Sequence, residues 1–232
     1  LFFALAVGAA VDKAPTIDEP AHVTRGIVLS QTGDLSLQVG HTPLSHRLMG
    51  LLMATEPSLA DVTTLPAWPT RDRLAIAGEL LWQGAAVDRV LFLARLPIIW
   101  TGVLLGATVA LWTAAVVRRE HSRAAVAPAL GVVMALFASS PNLLAAAALA
   151  TTDMVATATY FAAVGCWWFY WQRPGRWRLL AAGALLGLAL AAKLTGVLIM
   201  PLLLPLAYVY DTRGWRDWLR PGLMWLAALA IG

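Results

Sequence analysis

Apolar residues fall into long runs that are separated by short charged segments. The runs cover residues 1–11, 91–117, 124–139, 154–171 and 179–210, and a last run begins at Gly222. A helix that crosses a bilayer needs roughly 20 apolar residues, and long runs without period-two alternation favour helices over barrel strands. The pattern therefore predicts an all-α integral membrane protein built as a multi-pass helical bundle.

The apolar run at 179–210 is too long for one crossing and too short for two of roughly 20 residues each. Lys193 is the charged residue that interrupts this run. We therefore expect two short helices, with a break between Lys193 and Gly196.

The segment from residue 12 to residue 90 is polar or mixed in character. It holds nine acidic and six basic residues. Pro20 predicts the first turn of a helix, with Glu19 at or near its N-cap. The alternation of apolar and polar residues at 35–39 predicts an extended piece. Residues 45–53 and 71–83 are expected to form short amphipathic helices, the first of them lying on the membrane.

Three regions follow from this pattern. Residues 1–11 are expected to be the end of a first transmembrane helix, and residues 12–90 a large external loop. Residues 91–232 are expected to be a transmembrane bundle that is truncated at its C-terminus. The chain begins and ends inside apolar runs, without an initiating Met or a charged n-region. We therefore expect a piece of a longer protein and no signal peptide.

Composition and charge agree with a membrane protein. Of all residues, 59% are hydrophobic and only 13% are charged, with a mean hydropathy of +0.70; soluble domains average about 25% charged residues. The net charge is +4, but outside 12–90 the basic residues lie mainly in short loops between apolar runs, with three Arg each in 118–123 and 172–178. This is the positive-inside pattern rather than a nucleic-acid-binding face. It predicts a cell-membrane protein with 12–90 on the external side.

Candidate chemistry is concentrated in ionisable residues near the predicted outer surface. Asp18 and Glu19 are adjacent carboxylates, suited to a general base or a metal ligand; a helix start in a solvated loop is the alternative. Asp153 lies at the predicted outer end of the run at 154–171, where it is either functional or an N-cap. The single cysteine, Cys166, allows no intrachain disulfide and is expected to pack in an apolar run.

Two basic residues are candidates for binding a phosphate. Arg95 and Lys193 fall near the outer ends of apolar runs, where each can hold a phosphate or extend to lipid head groups. His41 lies in a loop near the same surface. The spacing of Asp18 and His22 is reminiscent of the H-E-x-x-H zinc-peptidase motif, but Pro20 keeps them off one helical face.

The segment DEPAHVTRGIVLSQTGDLSLQVGHTPL, residues 18–44, resembles the first external loop of bacterial GT-C membrane glycosyltransferases. It is similar to the branch of the dolichyl-phosphate-mannose protein mannosyltransferases and the lipid A aminoarabinose transferase. That loop typically reads D-E-x-x-H, then G-D, then H-P-P-L; Thr42 departs from the last motif. The stretches at 94–100, 150–154 and 187–201 resemble later segments in the same order. The resemblance implies a GT-C-like fold, of which this chain is an incomplete part.

The resemblance also implies an activity. It predicts inverting transfer of a sugar from a polyprenyl-phosphate donor to an acceptor hydroxyl or amine at the outer membrane face. Asp18 is then the general base, and Glu19 and Asp153 support the site or, with Asp18, a divalent cation such as Mg, Mn or Zn. His41 is expected near the donor. The partners are the lipid-linked donor, an acceptor protein, lipid or glycan, and membrane lipids, with no nucleic acid.

Two other functions remain open from the sequence. A multi-pass transporter or lipid-linked-sugar flippase would use intramembrane charges as a substrate path, and it predicts repeats and discontinuous helices. No repeat is visible, but the interrupted run at 179–210 supports this alternative. A non-catalytic membrane subunit would use the external loop only to dock a partner.

Overall fold

The structure, a computed structural model, describes residues 1–53, 56–83 and 86–203. Within these ranges the chain has no strand; residues 199–203 are helical, and nine further α-helices precede them. They are α1 (Phe2–Asp12), α2 (Glu19–Thr32), α3 (Pro43–Gly50), α4 (Arg73–Trp82), α5 (Val87–Glu120), α6 (Val126–Ser139), α7 (Pro141–Ala147), α8 (Asp153–Gln172) and α9 (Arg176–Ala192). Short 3-10 turns at Ser36–Gln38, Val62–Thr64, Trp68–Thr70, Arg123–Ala125 and Leu194–Leu198 connect them. The all-α prediction is confirmed for this part of the chain.

Helix α5 is the longest element. Its 34 residues extend about 51 Å at 1.5 Å per residue, and it packs against α1, α6 and α8. In the described ranges, α5 alone is long and apolar enough to cross a membrane by itself, and half of its most apolar stretch is buried. The pair formed by 123–139 and α7 is bent by 59° and counts as a second candidate if it forms one span. These one or two helices weakly indicate a membrane protein, because core helices of soluble proteins can have the same properties.

Buried apolar side chains form two clusters. The larger cluster packs residues of helices α1 through α5 against the start of α8. The smaller cluster packs α8 against α9 and against Ile199 and Leu203, which follow α9. The two basic loops meet at one end of the bundle, where Arg118, Arg119, Arg173 and Arg178 line a cavity of about 570 Å³. The sequence assigned these loops to one side of the membrane, and the fold brings them together.

Several local predictions are confirmed. Helix α2 begins at Glu19 with Pro20 in its first turn, and α3 and α4 occupy most of the two predicted amphipathic segments. Helix α9 ends at Ala192, and Lys193 has an extended backbone with φ −157° and ψ 137°. The predicted break in the run at 179–210 is therefore present. Residues 204–210 and the last apolar run lie outside the described residues.

The prediction of an extended piece at 35–39 was wrong. Residues 36–38 form a 3-10 turn, in which Leu37 and Gln38 are both buried. The Asp34 carboxylate accepts a hydrogen bond from the Ser36 backbone N–H at 2.7 Å, and Arg25 donates from Nε to the Leu37 carbonyl at 2.8 Å. One local bond within the turn and one contact to α2 thus hold this segment, and neither is strand pairing.

Helices α2 and α3 pack with their backbones in contact. A Cβ built on Gly50 would clash with the Gly26 carbonyl oxygen, and one on Gly26 would lie 2.9 Å from the His46 carbonyl oxygen. Only glycine fits at this crossing. The contact buries His46 and Met49 of α3 and fixes the distance between side chains on the facing surfaces of the two helices.

Candidate functional site

Glu19 and Arg95 form a buried ion pair between α2 and α5. Arg95 Nε donates to Glu19 Oε1 at 2.9 Å and Nη2 donates to Oε2 at 2.8 Å, with side-chain exposures of 0% for Glu19 and 3% for Arg95. The remaining Arg95 N–H groups donate to the backbone carbonyls of Ala10, Lys13 and Ala14. The pair therefore ties the end of α1 and the start of α2 to α5.

Glu19 also receives hydrogen bonds from two backbone N–H groups. Ala150 donates to Oε1 at 2.7 Å and Thr16 donates to Oε2 at 2.9 Å. Burial by itself raises the pKa of Glu19, but the bonds from Arg95, Ala150 and Thr16 together lower this pKa below its ordinary value of 4.5. Glu19 is thus a fixed carboxylate at a junction of four segments.

This geometry corrects two of the sequence-based assignments. Arg95 has five N–H donors, and all of them already point to Glu19 or to carbonyl oxygens, so none is left for a lipid phosphate. Glu19 is buried and fully engaged, so it is a poor base or metal ligand. The sequence signal is the same in both cases, an ionisable residue at a helix end, and only the fold distinguishes an internal pair from an exposed site.

Asp18, by contrast, faces solvent next to the buried Glu19. It occupies the position before α2, and its side chain forms no cap hydrogen bond to that helix. Its backbone carbonyl accepts the hydrogen bond from the His22 N–H. The adjacent acids therefore have different roles: one anchors the helix start, and the other has a carboxylate available for chemistry.

A small cavity of about 210 Å³ lies where the loop before α3, the start of α8 and the end of α9 meet. It is lined by Gly40, His41, Thr42, Thr152, Ala192, Lys193, Leu194 and Thr195. Ligand pockets for drug-sized molecules are typically about 300–1,000 Å³, so this cleft suits a compact polar group. Two residues predicted from sequence, His41 and Lys193, come together here although they are far apart in the chain.

Lys193 is held at the cleft by several contacts. Its Nζ donates to Asp153 Oδ1 at 2.6 Å, with exposures of 40% for Lys193 and 60% for Asp153. Ser45 Oγ of α3 donates to the Ala192 carbonyl at 3.0 Å, and the Tyr160 hydroxyl of α8 donates to the Lys193 carbonyl at 3.3 Å. The helix break is thus fastened to its neighbours, while the ammonium group remains partly open to solvent.

Three histidines cluster beside this cleft. His22 of α2, His41 of the loop and His46 of α3 each place a ring nitrogen so that the three atoms lie within 4.8 Å of one another. His22 Nδ1 and His46 Nε2 are 2.9 Å apart, and His46 Nδ1 lies 2.5 Å from Gln38 Oε1. His22 and His46 are buried, whereas His41 is exposed.

The surroundings keep these rings neutral. Burial lowers the pKa of His22 to about 4, with His41 and Arg25 adding to this effect and Asp18 and Asp153 opposing it. Burial lowers the pKa of His46 even further. The pKa of His41 is also lowered, by burial and then by nearby cations, while Asp18 opposes the shift. Asp18 and Asp153 are therefore close enough to the cluster to act on it electrostatically.

The predicted carboxylate site for a divalent cation does not fit the fold. Among the residues that the structure describes, Asp18, Glu19 and Asp153 do not form a set of ligand atoms within 4.8 Å of one another, and Glu19 is occupied by Arg95. The sequence reasoning missed His22 and His46 as site residues. The sequence does contain a signal, because D-E-x-x-H is followed by two further histidines, His41 and His46. The three rings come together, however, only because α2 and α3 cross at Gly26 and Gly50.

No family model, no curated protein and no solved structure matches this chain.

Proposed function

We propose that this chain carries the catalytic loop of a membrane glycosyltransferase. It would move a sugar from a polyprenyl-phosphate donor to an acceptor hydroxyl or amine, by an inverting displacement at the external face of the cell membrane. The observation that supports this most is the cleft that joins Lys193 and His41, with the exposed carboxylates of Asp18 and Asp153 close by. The resemblance of residues 18–44 to GT-C loops points to the same reaction.

The residue types suit a single displacement. In this proposal Asp18 takes the proton of the acceptor group as the acceptor atom forms its bond to the anomeric carbon. The bond between that carbon and the phosphate oxygen breaks at the same time, and the polyprenyl phosphate leaves with its negative charge. A cation at the leaving oxygen stabilises that charge, and Lys193 is the candidate for this role.

Asp153 would act by positioning Lys193. The pair is half-exposed, and exposed ion pairs contribute only about 0–1 kcal/mol. A phosphate can therefore compete with Asp153 for the ammonium group without a large cost. When the cleft holds no phosphate, the ion pair with Asp153 keeps the Lys193 side chain at the cleft.

The test is sugar transfer in membranes that contain the full-length protein, supplied with radiolabelled polyprenyl-phosphate sugars. We expect label to reach an acceptor with the wild type and not with Asp18→Asn. Asp12→Asn is the matched control, because Asp12 is another exposed acid at the end of α1, and it should transfer label normally. Detergent-stable expression of each variant checks folding.

Two outcomes would replace this proposal. If Asp18→Asn transfers label as well as the wild type does, the general base is a different group and the assignment is wrong. If the donor is not consumed but labelled lipid changes leaflet, the protein is a flippase, and the helix break at Lys193 then belongs to a transport path.

A further inference from the structure

His22 and His46 take no part in the proposed transfer reaction, and His41 enters it only as a residue that lines the cleft. From this histidine cluster we infer a binding site for a divalent metal ion of the zinc class, with the three imidazoles as ligands. The site lies beside the cleft and differs from the carboxylate site that the sequence predicted. The inference does not depend on the proposed function, because it concerns metal binding alone.

The geometry is close to what a metal requires. Zinc binds imidazole nitrogen at about 2.0–2.1 Å, so two ligands at the tetrahedral angle place their nitrogens about 3.3 Å apart. His22 Nδ1 and His46 Nε2 are 2.9 Å apart. A separation of the two rings by a few tenths of an ångström, which side-chain rotation provides, would bring them to that distance. The ring nitrogen of His41 lies within 4.8 Å of the other two, so the exposed His41 side chain has to move inward to complete the third position.

Gln38 is placed as an outer partner of the site. Its Oε1 lies 2.5 Å from His46 Nδ1. Because an amide oxygen can only accept, the Nδ1–H donates this hydrogen bond, and the lone pair of Nε2 faces His22. Metal-binding histidines usually donate their other ring N–H to a carbonyl or carboxylate in this way. The 3-10 turn at residues 36–38 is what brings Gln38 into this position.

The rings and the surrounding charges are compatible with a cation. Metal binding needs imidazole in its neutral form, and burial keeps His22 and His46 neutral near pH 7. Arg25, Arg73 and Lys193 act against a positive ion, while Asp18 and Asp153 act in its favour. Three neutral nitrogen ligands are typical of sites that keep a fourth position for water or substrate, and His41 also lines the cleft.

The experiment measures metal binding to the full-length protein in detergent, purified through a tag that contains no histidine. Zn²⁺ content is measured by elemental analysis, and Co²⁺ is added to the metal-free protein as a spectroscopic probe of tetrahedral coordination. We expect one ion per chain and a visible Co²⁺ absorption band. His121→Ala is the matched control, because His121 is the fourth histidine of the chain and lies outside the cluster.

Three variants decide the assignment. His41→Ala should abolish stoichiometric binding while the fold is retained, because His41 is exposed; His46→Ala should do the same if it folds. Gln38→Leu should weaken affinity by about 10–100-fold, the usual effect of removing an outer partner. The inference is overturned if the wild type binds no ion, if His41→Ala binds as tightly as the wild type, or if His121→Ala loses binding to the same extent.

Discussion

The buried pair of Glu19 and Arg95 allows a sharp test of how the fold is held together. Replacing Glu19 with Gln keeps the size of the side chain but removes its charge, so Arg95 is left buried without its counter-ion. Removing one partner of a buried ion pair typically costs about 3–5 kcal/mol. Arg95 is 3% exposed and Glu19 is fully buried, so little water can compensate for the lost charge. We expect Glu19→Gln to lower the free energy of unfolding by that amount.

The assay is unfolding in detergent, followed by the fluorescence of the 11 tryptophans. Asp18→Asn is the matched control at the neighbouring position. Because Asp18 is exposed and its side chain does not cap α2, this variant should change stability by no more than about 0.5 kcal/mol. If Glu19→Gln unfolds at the same denaturant concentration as Asp18→Asn, the ion pair is not a stabilising anchor.

A double variant separates the pair from its parts. Glu19→Leu with Arg95→Met removes both charges, and replacing a buried ion pair by apolar residues is often close to neutral. The loss should therefore be smaller than the sum of the two single losses. It should not vanish, because the carbonyls of Ala10 and Lys13 lose the donors that Arg95 supplies. Strict additivity of the single variants would contradict the direct pairing.

The remaining predictions concern pH, helix packing and the cleft. The pKa of Glu19 in the fold lies below its ordinary value. The stability that Glu19 contributes is therefore complete above pH 4.5 and is lost as the pH falls through the folded-state pKa. The free energy of unfolding, measured at decreasing pH, should show this loss in the wild type and not in Glu19→Gln. In the same unfolding assay, Gly50→Ala should cost about 1–3 kcal/mol, because the new Cβ clashes with the Gly26 carbonyl oxygen. Gly78→Ala in α4 adds a Cβ that meets nothing within 4 Å, so it should stabilise the fold by about 0.4–1 kcal/mol. Lys193→Met should reduce the rate of sugar transfer at least tenfold, since a charged hydrogen bond contributes about 1.5–3 kcal/mol. Lys193→Arg keeps the charge and should retain part of the activity. Equal rates for the wild type and both variants would exclude Lys193 from the site.

The sequence by itself predicted most of the helices and most of their ends, although α7 (Pro141–Ala147) was not predicted as a separate helix. Long apolar runs, Pro20 at the start of α2 and Lys193 after α9 act through local chemistry: backbone preference, missing N–H groups and the cost of placing a charge in an apolar segment. The same local reasoning placed Asp18, Asp153, His41 and Lys193 near one surface. In the fold, His41 and Lys193 share a cleft, and Asp18 and Asp153 act electrostatically on the histidines beside it.

Only the tertiary structure decided which ionisable groups are available. Glu19 and Arg95 are 76 positions apart, and nothing in either local sequence shows that one neutralises the other. The histidine cluster depends in the same way on the crossing of α2 and α3 at Gly26 and Gly50, which no periodicity reveals. The physical reason is that local sequence sets backbone conformation, whereas burial and pairing depend on which distant segments pack against each other.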